Sequence, residues 1–208
     1  MANLFAIHSV GNSLITYLRN AYPEPLRTDH PCTFHLLSSG EMATATEDLG
    51  TALSLYLYAV TQNEHLRNAA RANGRLDRDV PLSVDLHYLL TVWANSALAE
   101  HAILGWAMRE LYQHPVLDRS SLTPEAGWSP GDVVQLIPAE LSTEDMMRIW
   151  DALEPPYHLS VSYIARVVRI DADTAPDARP VVATRFAATD GLVLPAAVSA
   201  AVPAGGAP

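Results

Sequence analysis

The chain lacks most of what builds a disulfide framework, a zinc cluster or a nucleic-acid surface. Cysteine occurs once in 208 residues, at Cys32, so no internal disulfide can form and no cysteine cluster can hold zinc. The 13 Lys and Arg residues are scattered without a run, and the formal charge at pH 7 is -10. Because binding to a phosphate backbone draws on clustered basic residues, we do not expect nucleic acid as a partner.

A secretory leader and a long apolar run are also missing. The first residues carry no basic segment followed by a long apolar core. The apolar stretch 192–202 is interrupted by Pro195 and is too short to span a bilayer. Together with the single cysteine, these features predict a soluble protein of the reducing cytoplasm that does not partner a membrane.

The most informative pattern lies between residues 80 and 118. Apolar and polar residues alternate over 82–92, which is typical of a long strand with one buried face. Helical spacing then begins after Asn95-Ser96 and ends at His114-Pro115. The apolar residues with this spacing are Leu98, Ala102, Ile103, Trp106, Ala107 and Leu111. Neither element carries a catalytic motif, and this favours assembly over chemistry.

Similar patterns elsewhere predict an α+β domain in which about three helices pack on a mainly antiparallel sheet. Helices are expected at 4–18 and 142–153, the second opened by Ser142 and Asp145 at capping-box spacing. A loop is expected over 38–50. Further strands are predicted at 33–37, 51–61, 133–137 and 159–170, and in the last of these Leu159, Val161, Tyr163, Ala165 and Val167 should share one face.

Composition changes after the last long strand. Residues 1–172 are predicted to form the folded domain, and 173–208 an extended C-terminal arm with one possible strand at 181–187 and a flexible Ala/Pro/Gly-rich end. Residues 63–79 are predicted to form an exposed segment between two strands. This segment carries Arg67, Arg71, Arg75 and Arg78.

Asp85 and His87 are the best candidates for chemistry. At strand spacing both side chains point to one face, and Glu100-His101 follow on the next helix. A small metal-dependent hydrolase built on Asp85, His87, Glu100 and His101 is therefore one alternative. However, metal sites need three or more converging ligands, and no His-Glu-x-x-His motif or phosphate-binding loop is present. We predict no enzyme activity, metal or cofactor.

The four tryptophans are candidates for packing or for interfaces. Trp106 and Trp150 fall at helical core spacing. Trp93 and Trp128 border predicted loops, where tryptophan is either an interface anchor or the rim of a core. Trp93 and Trp128 are kept as candidate interface residues.

Two long blocks of the sequence resemble a known family. The first is 82–93, Leu-Ser-Val-Asp-Leu-His-Tyr-Leu-Leu-Thr-Val-Trp, together with 100–109, Glu-His-Ala-Ile-Leu-Gly-Trp-Ala-Met-Arg. The second is 155–171, from Pro-Pro-Tyr-His to Val-Val-Arg-Ile-Asp. They resemble the N-terminal-domain family of the cap, or tail-terminator, proteins of phage-tail-like extracellular contractile injection systems. The antifeeding prophage and the Photorhabdus virulence cassettes are familiar kinds. The similarity extends over about residues 3–188.

The resemblance implies a structural protein without catalytic residues. It implies a homohexameric ring at the distal end of the inner tube and sheath, which ends their polymerisation and links the sheath to the tube. The expected partners are other copies of the chain, the inner-tube protein and the sheath protein. Assembly is expected in the cytoplasm, within a particle that is either released or kept inside the cell.

Two segments suit such an assembly. An arm can add a strand to a neighbouring sheet edge, and the residues expected to do so are Val181, Val182, Thr184 and Phe186. The arginine-rich segment 67–78 offers positive charge to an acidic tube or sheath rim. The alternatives left open are a tail-completion or head–tail component of a phage, the hydrolase described above, and a small-ligand binding module.

Overall fold

A six-stranded sheet organises the computed structural model, which describes residues 2–44, 49–63 and 81–171. Five α-helices and six strands lie in these ranges. They are α1 (Ala6–Ala21), α2 (Glu24–Asp29), β1 (Thr33–Leu37), α3 (Ser39–Thr44), β2 (Ala52–Gln62), β3 (Leu82–Trp93), α4 (Ala97–Gln113), β4 (Val116–Leu117), β5 (Val134–Pro138), α5 (Thr143–Asp151) and β6 (Ser160–Ile170).

The strand order is β1-β2-β3-β6-β5-β4, and every pair is antiparallel except β1 with β2. The predicted α+β class is therefore confirmed. The strands predicted at 33–37, 51–61 and 159–170 lie where expected to within a residue. The two-residue strand β4 carried too little periodicity to be predicted.

The main core lies between one face of the sheet and helices α1 and α4. Alternate residues of β3 from Val84 to Val92 are buried there. The apolar side of α1 contributes Val10, Leu14 and Leu18. At the edge of this core, the Tyr22 ring meets Trp106 edge-on, with 4.8 Å between ring centroids. Helical spacing in α1 and period two in β3 thus place their apolar sides together.

The opposite face of β3 is also covered over the second half of the strand. Leu89 and Trp93 pack there against Met42 of α3 and Trp150 of α5. Thr91 on the same face is fully buried, and its hydroxyl is 2.8 Å from that of Ser160. The prediction of a single buried face is therefore wrong for this half, because two short helices shield it from water.

A bulge in β6 changes which residues point into the core. Leu86 faces Ala165 and Val84 faces Val168, so β6 has one residue more than β3 between these two pairs. An extra residue on one strand reverses the alternation beyond it. Val168 is consequently buried and Val167 is only half-buried. The predicted shared face is thus wrong at Val167.

The helices differ from expectation at two places. Residues 38–50, predicted as a loop, contain α3, and α2 was not predicted, because six-residue helices show almost no periodicity. At α5 the expected cap is present, since the Ser142 hydroxyl accepts the Asp145 N–H at 3.1 Å. No helix in the described part of the chain has the length and apolar content that crossing a bilayer requires.

Candidate interface surfaces

The predicted interface residues fall into two groups. Residues 67–78 and 181–187, including all four arginines and the four arm residues, lie outside the described residues. Trp93 and Trp128 are described, and they are only 4% and 7% exposed. Both side chains therefore lie inside the subunit, which leaves little of either for a partner.

Each of these two tryptophans is held by a serine. The Trp93 Nε1–H donates to Ser54 Oγ at 2.8 Å, and the Trp128 Nε1–H donates to Ser9 Oγ at 2.9 Å. The Ser9 hydroxyl also donates to the backbone carbonyl of Thr123 at 2.9 Å. These bonds tie α1 to the turn-rich segment after β4, so Trp128 positions that segment.

Asp85 and His87 belong to a polar network on the sheet. The Asn63 side-chain amide lies 3.2 and 3.1 Å from the two carboxylate oxygens of Asp85, and Arg166 Nε lies 3.5 Å from Oδ2. His87 Nε2 is 2.9 Å from the Thr61 hydroxyl. Burial lowers the pKa of His87, the nearby Asp85 carboxylate opposes this shift, and Arg166 adds to it.

Glu100 and His101 lie at the other end of β3. Glu100 is in the first turn of α4 and acts electrostatically on His158, whose ring lies 4.4 Å from that of Trp93. Eight residues of strand separate Asp85 from Trp93, about 26 Å at the usual rise. Among residues 2–44, 49–63 and 81–171, no three His, Cys, Asp or Glu side chains converge to hold a metal ion. The structure gives no support to the hydrolase alternative.

The outer side of α4 exposes three large apolar residues beside the polar residues His101 and Arg109. Leu98, Met108 and Tyr112 are 70%, 42% and 79% exposed and recur at helical spacing, and the prediction that Leu98 faces the core is wrong. Gly105 lies on the same side with open space around the position of a Cβ. The sequence signal that could have revealed this surface is the set of large apolar residues, Met108 and Tyr112, that lie outside the predicted core positions of the helix.

A second surface is a groove along β1 that the sequence did not reveal. Its volume is about 620 Å³. The lining residues are Arg19, Asn20, Tyr22, Arg27, Cys32, Thr33, Phe34 and His35. Burial raises the pKa of the Cys32 thiol to about 12, so this cysteine stays protonated. The groove exists because α1 and α2 meet beside the terminal strand, which no local pattern encodes.

The fold is similar to two solved structures. One is the sheath/tube terminator, in its extended state, of the extracellular contractile injection system PVC, with a TM-score of 0.54 and 18% identity over 90% of this chain and 65% of that one. The other is the tube-terminating cap of the anti-feeding prophage, with a TM-score of 0.54 and 15% identity over 86% of this chain and 60% of that one. The chain thus spans less than two thirds of either structure's length.

At the level of sequence, no curated protein matches the chain. A family model does match it, over residues 9–184, and that range contains every described helix and strand apart from the first turn of α1. The chain belongs to the Pvc16 N-terminal domain family.

Proposed function

We propose that the protein is a structural cap, or tail terminator, of a contractile injection system. It forms a ring that ends the inner tube and sheath and joins one to the other. The observation that carries this proposal is the family match over residues 9–184, and the fold shared with two terminators supports it. The ring is proposed to be a homohexamer that assembles in the cytoplasm and binds the tube and sheath proteins.

The outer side of α4 supports an assembly of this kind. Three large apolar side chains at 42–79% exposure are unfavourable in an isolated subunit that presents them together. A ring requires two different patches per subunit that meet in a closed, heterologous interface. We propose that the surface formed by Leu98, Gly105, Met108 and Tyr112 is one of these patches.

The simplest test is the state of the purified chain. Light scattering and negative-stain imaging at tens of micromolar are expected to show closed rings with six-fold symmetry. A chain that stays monomeric under all conditions, including in the presence of tube and sheath proteins, would rule out the proposal.

The two segments outside the described residues have proposed roles that can be tested separately. Deleting residues 180–208 is expected to leave a folded domain that no longer docks on sheath, and unchanged docking would refute the role of the arm. Replacing Arg67, Arg71, Arg75 and Arg78 with Glu is expected to weaken association with the tube or sheath. Exchanging the same residues for Lys keeps the charge and is the matched control.

A further inference from the structure

The outer edge of β1 is not paired with any other described strand, although Phe34 on it is only 6% exposed. β1 is the terminal strand and, among the described strands, pairs with β2 alone. The Thr33 N–H donates to the Thr51 carbonyl at 3.1 Å, so the backbone groups of Thr33 point towards β2. Because successive residues of a strand direct these groups to opposite sides, Phe34 and Leu36 direct theirs away from the sheet.

One of these outward backbone groups is hydrogen-bonded to an arginine side chain. Arg19 Nη2 donates to the Phe34 carbonyl at 3.1 Å, which agrees with the outward direction. Within the described ranges, the N–H groups of Phe34 and Leu36 have no acceptor. Unpaired edges readily accept a further strand unless a bulge, a proline or a charge prevents it. Here the charge is that of Arg19, and an added strand must displace its guanidinium from the Phe34 carbonyl.

The groove beside this edge is cationic. Arg27 Nη2 donates to the Tyr22 carbonyl at 2.9 Å, and its other terminal nitrogen is 3.9 Å from the exposed Glu24. Each guanidinium has five N–H donors, so Arg19 and Arg27 both keep several for a ligand. The chain as a whole carries a formal charge of -10, so this groove is a local exception suited to carboxylates.

We propose that the β1 edge accepts residues 171–187 of a second copy of this chain as an additional strand. The segment begins with Asp171, Asp173 and Asp177, which are opposite in charge to Arg19 and Arg27, and it also contains Arg179 and Arg185. It continues with Val-Val-Ala-Thr-Arg-Phe at 181–186, residues that favour strands. Backbone groups of 181–187 pair with those of Phe34 and Leu36, as in strand addition to other sheet edges. The inference rests on the proposed ring of copies.

The position of Asp171 favours exchange between copies. Ile170, the residue before Asp171, pairs with Leu82 at the start of β3. The nearest end of β1 is Leu37, which lies at the level of Leu89 because both pair with the same residue of β2. The separation is about 23 Å along the strands and about 19 Å across four strand spacings, or roughly 30 Å in all. Residues 172–180 cover about 30 Å only when fully extended. A path to the chain's own edge therefore requires residues 172–180 to be taut.

Disulfide trapping tests the proposal in the full-length chain. With Cys32→Ser removing the native thiol, Thr33→Cys is combined with a single cysteine at each position from 181 to 186. Thr33 is exposed, and its backbone groups point to β2, so it would be a non-hydrogen-bonded position towards an added strand. In an antiparallel pair, side chains approach most closely at such positions. We expect disulfides between chains to peak at the position opposite residue 33, about fivefold or more above the two adjacent positions, because neighbouring strand side chains point to the other face.

Two controls make the result specific. Placing the cysteine at Val116 on β4, the other end strand, instead of at Thr33 should abolish the products between chains. Arg19→Glu with Arg27→Glu should reduce the yield about tenfold, and the Gln pair about threefold, with circular dichroism confirming the fold of each variant. Disulfides within one chain, or equal yields at all six positions, would overturn the proposal.

The test of strand exchange can be separated from the test of the proposed cap function. Light scattering and imaging of the same variants report whether rings form. Rings without trapped disulfides would refute strand exchange at β1 and leave the cap function standing. An unmodified chain that never associates would refute the cap function itself.

Discussion

Trp93 and Trp150 form a natural pair for testing how the apolar cluster on the second face of β3 is stabilised. Both are buried to a similar degree, 4% and 3% exposed, and their ring centroids are 6.1 Å apart. They differ in one respect. Trp93 Nε1–H donates to the buried Ser54 hydroxyl, whereas Trp150 Nε1–H is buried without an acceptor within the described part of the chain. Phenylalanine at either position removes the N–H and a similar amount of ring.

The hydrogen-bond terms therefore have opposite signs. Trp93→Phe breaks a bond and leaves a buried hydroxyl without its donor, a loss of about 1–3 kcal/mol beyond the packing loss. Trp150→Phe removes an unsatisfied donor, which offsets the packing loss by about 1–3 kcal/mol. We expect Trp93→Phe to be the less stable variant by about 2–6 kcal/mol.

Urea unfolding measures this difference directly. The two midpoints should differ while the slope with denaturant stays the same, and the concentration must be below that at which the chain associates. In a chain of this length the difference corresponds to roughly 6–18 °C in Tm. Equal free energies of unfolding within about 0.5 kcal/mol, or a less stable Trp150→Phe, would refute the reasoning.

Three further predictions concern α4 and the histidines. Gly105→Ala should raise the free energy of unfolding of the unassociated chain by about 1 kcal/mol, measured in urea, because the added methyl group meets open space in a helix interior; a loss of stability would contradict this. Leu98→Ser with Tyr112→Ser should change that stability by less than about 1 kcal/mol but weaken ring formation at least tenfold by light scattering, and unaltered rings would exclude this surface. Burial lowers the pKa of His87 and His158, so the unfolded chain binds protons more readily near pH 6.5. The stability contributed by the neutral rings is thus fully present above about pH 7 and is lost as the pH falls through 6.5. A urea midpoint that increases when the pH is lowered from 7.5 to 5.5 would contradict this, as would a His158→Gln variant whose midpoint depends on pH as strongly as that of wild type.

Local patterns were enough to predict most of the sheet. Period two from Leu82 to Val92 and helical spacing in 4–18 locate the main core, because alternation and helical repeat are properties of neighbouring residues. The bulge at Arg166–Val167 could not be predicted in this way, since it depends on the register between β6 and β3. The covered second face depends likewise on Met42 and Trp150 arriving from distant segments.

The candidate surfaces were less accessible to sequence reasoning. Trp93 was kept as a candidate interface residue, with the rim of a core as the alternative, because it borders a loop; its bond to Ser54, distant in sequence, could not be predicted. The β1 groove arises where Arg19 on α1 and Arg27 on α2 meet a terminal strand, and which strand is terminal is decided by the whole topology. The family resemblance was accessible because it rests on long ordered blocks in 82–109 and 155–171.

Imaging of assembled particles tests the central claim most directly. The chain, labelled at one terminus, is produced together with the tube and sheath proteins of its injection particle. We predict one label-bearing ring at one end of each particle, and without the chain we predict tubes of irregular length whose sheath is detached. Label along the shaft, or particles of unchanged length and sheath attachment without the chain, would contradict the account.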